Sequence, residues 1–227
     1  MVVSRKIVVL AASKKLGSRC YAGKEISGIT VGSWVRPVTS TDGSLNLTQM
    51  RLPDGDLPMC LDVVSVDLDD CCGVGHQTEN WMLCSRSGVT RSYRFPSELV
   101  PMLRDTPDQL WYPGYSSSHG QNDRMPEDIG RRCGQSLYLV ELEGFQIKVQ
   151  NEFYGRKKSR GVFKYNGTEY ALRITDTLVE ESMKERDLGY YTYGAAYRVF
   201  GCISLALPYQ GYCYKLLAAV HLVPKGN

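Results

Sequence analysis

The chain has 227 residues, 43% of them hydrophobic and 22% charged, the balance of a globular protein that buries a core, and global disorder is excluded. Its 27 lysines and arginines face 24 acids, for a net charge of +3. That excludes a uniformly basic, DNA-coating protein, so any surface for a polyanion has to come from local clustering.

The first apolar run, Ile7-Val8-Val9-Leu10, is too short for a signal-peptide core or a membrane span and is soon followed by Lys14 and Lys15. A cytoplasmic protein with no membrane partner is expected. Eight cysteines (20, 60, 71, 72, 84, 133, 202 and 213) show no small-domain framework spacing, and in a reducing compartment they read as small buried hydrophobes.

Strand signals dominate from the start. Lys6 to Ala12 is apolar and β-branched, Ser33 to Val38 alternates before a Thr/Ser/Asp/Gly turn, and Leu61 to Leu68 alternates almost throughout. Glu79 to Cys84 is a shorter candidate. Ser97 to Arg104 offers a helical turn that Pro101 interrupts. From about Gln109 to Gln135 the composition turns to Tyr, Pro, Gly, Ser and Asn, which predicts a long loop joining two halves.

The second half restarts with a strand over Ser136 to Val149, broken at Glu143-Gly144. Gly161 to Tyr165, the Asn166-Gly167 turn and Glu169 to Ile174 predict a β-hairpin. Asp176 or Thr177 can cap a helix over Leu178 to Arg186, ending at Gly189. Tyr197 to Ala206 and Tyr212 to Val223 are the last strands. About five strands with one helix between the third and fourth is the order of an OB-fold, a small, partly open barrel. The first half fits that order less cleanly. The predicted fold class is mostly β with minor α, as two consecutive OB-like barrels, residues 1–135 with the long connecting loop and residues 136–227.

Several phrases in order carry a resemblance: KKLGSRCYAGKE at 14–25, WVRPV at 34–38, LDVV at 61–64, HQTENW at 76–81, LRITD at 172–176, SLALPY at 204–209 and YKLLAA at 214–219. Together they resemble the bacterial dual OB-containing domain proteins, over nearly the whole chain from Lys6 to Val223. The resemblance implies two OB-like barrels in one polypeptide and, by analogy of fold, nucleic-acid binding, in a bacterial or phage defence setting. Thr177 stands where the family often has proline, and the central Ser/Gly/Asn loop is a local variant.

Two basic clusters carry the chemistry. Lys14, Lys15, Arg19 and Lys24 are expected in the loop after the first strand, with Trp34 and Arg36 on the next one. Cations tracking phosphates beside an aromatic face are what a single strand needs. Equally, Trp34 could anchor a core, Arg36 pair an acid and the lysines stay solvated. The second cluster, Arg156, Lys157, Lys158 and Arg160, is expected at a strand-to-strand turn with Tyr154, Phe163 and Tyr165 interleaved. Glu79, Asn80 and Trp81 could hold a base or ribose edge, or satisfy buried backbone groups. The Tyr190-Tyr191-Thr192-Tyr193 run could stack bases or pack half-buried.

Cys71, Cys72, His76 and Cys84 lack the paired spacing of a structural zinc site. The glycine-rich phosphate loop, the zinc-protease motif, the nucleophile elbow and the dinucleotide fingerprint do not occur. The expectation is therefore a non-enzymatic module without metal or cofactor, partnered by single-stranded DNA or RNA. The alternative is a sensor of a nucleotide-like ligand, or a protein-docking scaffold.

Overall fold

The computed structural model describes residues 2–15, 18–41, 43–84, 88–152 and 155–226; the side chains of Lys14, Lys15 and Ser18 also lie outside the description. In the first half, strands β1 (Val3–Lys15), β2 (Ser18–Ser27), β3 (Thr30–Val38), β4 (Asp62–Cys71), β5 (Asn80–Leu83) and β6 (Thr90–Arg94) are ordered β1-β2-β3-β5-β4-β6. Strand β1 is long enough to serve two neighbours. Its residues Val3 to Val8 pair with β4, and Ile7 to Lys15 pair with β2, so five strands close into a barrel. A bulge between Val9 and Ala11 bends the strand. Gly23, opposite Val9, lets it pass, because a Cβ there would run into the Val8 carbonyl. Alternation then sends Ile7, Val9, Tyr21, Val35, Val64, Val66 and Leu68 to the interior. A 3-10 turn, Leu47–Met50, opens with the Asn46 side chain accepting from the Thr48 amide and delivers Met50 to that core.

The second half contains β7 (Arg124–Pro126), the short helix α1 (Glu127–Gly130), β8 (Leu137–Glu141), β9 (Glu143–Asn151), β10 (Lys157–Tyr165), β11 (Thr168–Ile174), helix α2 (Thr177–Met183), β12 (Gly189–Thr192), β13 (Tyr197–Leu205) and β14 (Tyr212–Pro224). The sheet order is β12-β9-β10-β11-β14-β13-β8. Only Leu142 separates β8 from β9, and Gly144 takes φ +63° at the bend. One bent segment therefore pairs with β13 through its first part and with β10 through its second, as β1 does in the first half. The β3–β5 and β11–β14 pairings are both parallel. Helix α2 follows the third barrel strand, β11. One Asp176 carboxylate oxygen caps it by accepting from the Leu178 and Val179 amides, and the other accepts from the Val220 amide. Both halves have the connectivity of an OB-fold, so the expectation of two OB-like domains holds, and the first half, which fitted that order less cleanly in sequence, closes through the β1–β4 pairing.

The chain divides into Met1–Leu103 with Gly134–Ser136, and Arg104–Cys133 with Leu137–Asn227. The long loop, expected as the tail of the first domain, thus packs with the second barrel. Its polar backbone needs partners, and it finds them there: Gln121 and Ala171 exchange backbone hydrogen bonds, and the Asn122 side-chain amide adds a bond to the Glu169 carbonyl at 2.8 Å. The stretch after Lys15 expected as a loop is strand β2, and Lys157 to Arg160 lie within β10 rather than in a turn. Strands β6, β7 and β12 were not expected; each is five residues or fewer and lacks an apolar alternation to announce it. Among the described residues no helix is long and apolar enough to cross a membrane.

Candidate nucleic-acid interface

A side chain can meet a phosphate only if its charge reaches water. In the first barrel this test separates the predicted residues. Lys24 is 6% exposed; its ammonium donates to the Leu103 carbonyl at 2.8 Å and stands 5.4 Å from the ring of Trp34, itself buried. Arg36, 5% exposed, pairs with Glu79 at 2.9 Å and donates to Asn80 Oδ1 and Ser136 Oγ at 3.2 and 3.0 Å. The Ser136 hydroxyl in turn donates to Glu79. Glu79 and Asn80, predicted as ligand-reading groups, are therefore the inner members of this network. Trp81 is half-buried under the Arg5 guanidinium, 3.8 Å from its centroid. Arg19 is half-buried on β2 opposite Lys14. The side chains of Lys14 and Lys15 lie outside the described residues, as does Tyr154. Lys24, Trp34 and Arg36 thus leave the candidate interface, for the physical reason that buried, paired groups have nothing to offer a polyanion.

In the second barrel the cluster splits. Arg160 is 6% exposed and bonds Glu152 at 2.7 Å, Asp123 at 3.0 Å and the Ala171 carbonyl at 3.2 Å. Glu152 reaches on to Arg173, which reaches Glu180. Asp123 is fixed by the amide and hydroxyl of Ser117 at 2.7 and 2.6 Å. The segment from Gly114 to Asp123 is a strap along the outer side of β10 and β11, the strands whose face and flanking loops serve oligonucleotides in many OB-folds. Arg160 belongs to this strap. Arg156 and Lys157 remain exposed, and Lys158 is half-exposed on β10 opposite Gln150.

Beside the strap lies an open face. On β9, Phe145, Ile147 and Val149 enter the core, and Gln146, Lys148 and Gln150 point outward. Strand β12 extends this face as an edge, with Tyr190 opposite Lys148 and Thr192 opposite Gln146. The Lys148 ammonium stands 5.6 Å from the ring centroid of Tyr190, whose side is 58% exposed. Next to it the Arg186 guanidinium is 5.7 Å from the Tyr191 ring, and Lys157 donates to the Arg186 carbonyl at 2.8 Å. The exposed Tyr190 ring, the Lys148 cation held over it, the Gln146 and Gln150 amides and Lys158 therefore share one face, whereas Tyr191, opposite Ile147, packs toward the core with Arg186 and Lys157 on its side of the strands. The sequence reading missed Lys148 and Arg186. The polar alternation Gln146, Lys148, Gln150 against three hydrophobes was the available signal, but it cannot show that Tyr190 pairs beside it. Tyr193, from the same tyrosine run, packs instead, stacked 6.1 Å from Phe145.

This doubled barrel agrees with a family comparison made on sequence alone. The model of the dual OB-containing domain matches residues 5–220. The chain belongs to the dual OB-containing domain family. No curated protein matches it at a significant level. In this dual OB-containing domain all eight cysteines are free thiols. Among the described residues no three His, Cys, Asp or Glu side chains come together as a metal site. Burial pushes the Cys213 thiol up to about 11 and also raises that of Cys133, so neither is an activated nucleophile.

Proposed function

We propose that the protein is a non-enzymatic nucleic-acid-binding module that prefers single strands and receives them on the outer face of β12, β9 and β10 in the second barrel. The observation that carries this reading is the exposed Tyr190 ring with Lys148 held over it, beside Arg156 and the basic start of β10, Lys157 and Lys158. An unpaired base has a free π-face to lay on Tyr190, and a duplex does not. The cations along the same edge follow the phosphates. Gln146 adds sequence-tolerant hydrogen bonding, while the Gln150 amide is held by the His119 carbonyl and Glu152.

The test is fluorescence anisotropy of short single- and double-stranded DNA and RNA against the full chain. The expected result is micromolar binding of single strands with weaker duplex binding. Tyr190→Ala removes a stacking contact worth about 1–3 kcal/mol, roughly a tenfold loss or more, and Lys148→Glu costs at least as much. Equal binding by wild type and both variants would place the interface elsewhere.

A further inference from the structure

The first barrel carries a groove that the oligonucleotide face does not use. It has a volume of about 710 Å³ and is bounded by the start of β1, the β2–β3 hairpin and β6, within the size range of small-molecule sites. Its floor is an arranged pair: the Arg5 guanidinium lies on Trp81 and bonds Glu25 at 2.9 Å. The Arg5 Nε is buried without a hydrogen-bond partner. Gly32 belongs to the same construction, since a Cβ there would come within 2.8 Å of the Glu25 Cβ. The rest of the lining includes Ser27, Thr30, the exposed Lys6 next to Arg5 on β1, and Tyr93 on β6, 46% exposed.

The chemistry of this set is specific in kind. Two cations and one carboxylate leave a net charge of +1, and Arg5 is already spoken for by Glu25, so one phosphate is matched by Lys6. The Glu25 carboxylate repels a chain of phosphates but accepts hydrogen bonds from a sugar diol. Tyr93 offers a ring face to a planar base. We propose that this groove binds a nucleoside monophosphate, with the base on Tyr93, the ribose hydroxyls at Glu25, Ser27 and Thr30, and the phosphate at Lys6. The site is independent of the oligonucleotide face, and either can fail without the other.

Isothermal titration calorimetry of the full chain with AMP, GMP, CMP and UMP tests it, with adenosine, inorganic phosphate and a Tyr190→Ala protein as controls. The expected result is saturable one-site binding of at least one monophosphate, at least tenfold tighter than adenosine or phosphate. Lys6→Ala and Tyr93→Ala should each weaken it tenfold or more, and Tyr190→Ala should leave it unchanged. Lys6 is exposed and its loss does not threaten folding, so that variant decides the matter if Tyr93→Ala folds poorly. Absence of binding at millimolar nucleotide overturns the proposal. So does binding of phosphate alone at equal strength, which marks an adventitious ion only, or binding that survives Lys6→Ala.

Discussion

Arg36 sits where a sequence reader looks for a phosphate contact, two residues from a tryptophan, yet its charge is consumed inside the first barrel. Its guanidinium is matched by Glu79, Asn80 and Ser136, while Glu79 Oε2 has no hydrogen-bond partner. Removing one member of a buried ion pair strands the other without water. Arg36→Ala is therefore expected to lower stability by about 3–5 kcal/mol, read as a shift of the urea midpoint. The double variant Arg36→Met, Glu79→Leu should recover most of the loss. A surface arginine would give less than about 1 kcal/mol, so the two roles are cleanly separated by this measurement. The same reasoning applies to Arg160, whose partners come from β11, from the β9–β10 connection and from the strap.

At the scale of elements, one lysine ties the strap down at its Asp123 end and at Tyr112, just ahead of its start. The buried Lys215 ammonium donates to the Tyr112 carbonyl at 2.7 Å, and its backbone amide donates to the Asp123 carbonyl at 2.8 Å. The ammonium also stands 5.4 Å from the Tyr170 ring. Burial pulls the Lys215 pKa down to about 7, against the upward pull of Asp123 and Cys133. In the unfolded chain the same group titrates near 10.4. Between these values the unfolded state binds more protons, so stability rises with pH from 7 upward, and below 7 the group adds no further slope. Cys213, Cys133 and Cys72, raised by burial, act in the opposite sense once unfolded thiols ionise, at about pH 8.5, which sets the useful window at about pH 7–8. Chemical denaturation should show the midpoint climbing across that window. Lys215→Met should flatten the climb and raise the midpoint at pH 7; an unchanged slope in that variant would falsify the assignment to Lys215.

For the molecule as a whole, a net charge of +3 places little long-range attraction on a polyanion, so binding depends on the few cations carried by β9 and the start of β10. Three or four phosphate contacts, the number that Lys148, Arg156, Lys157 and Lys158 can make, predict a log–log salt slope of about −2 to −3 for single strands, from roughly −0.7 per contact. Anisotropy titrations between 50 and 300 mM salt measure it. Neutralising Arg156 and Lys157 together should reduce the slope by about 1.4, whereas Arg36→Met, Glu79→Leu should leave it alone.

Sequence by itself determined the barrel strands with strong apolar alternation, such as Leu61 to Leu68, because period-2 patterning is local and the core enforces it. It also determined the Asn166-Gly167 hairpin, where Asn166 and Gly167 take φ of +45° and +78°, and the cap at Asp176. Those pieces, in order, sufficed for two OB-like barrels. Tertiary structure alone decided which charges face water. Lys24, Arg36 and Arg160 carry the same side-chain chemistry as Lys148, Arg156 and Lys157, and what separates them is the approach of Leu103, Glu79 and Asp123, 79, 43 and 37 positions away. Burial is set by such distant neighbours, and no local pattern encodes them. The strap followed the same rule: its composition marked it as a loop, and only its backbone partners on β11 and β14 assigned it to the second barrel.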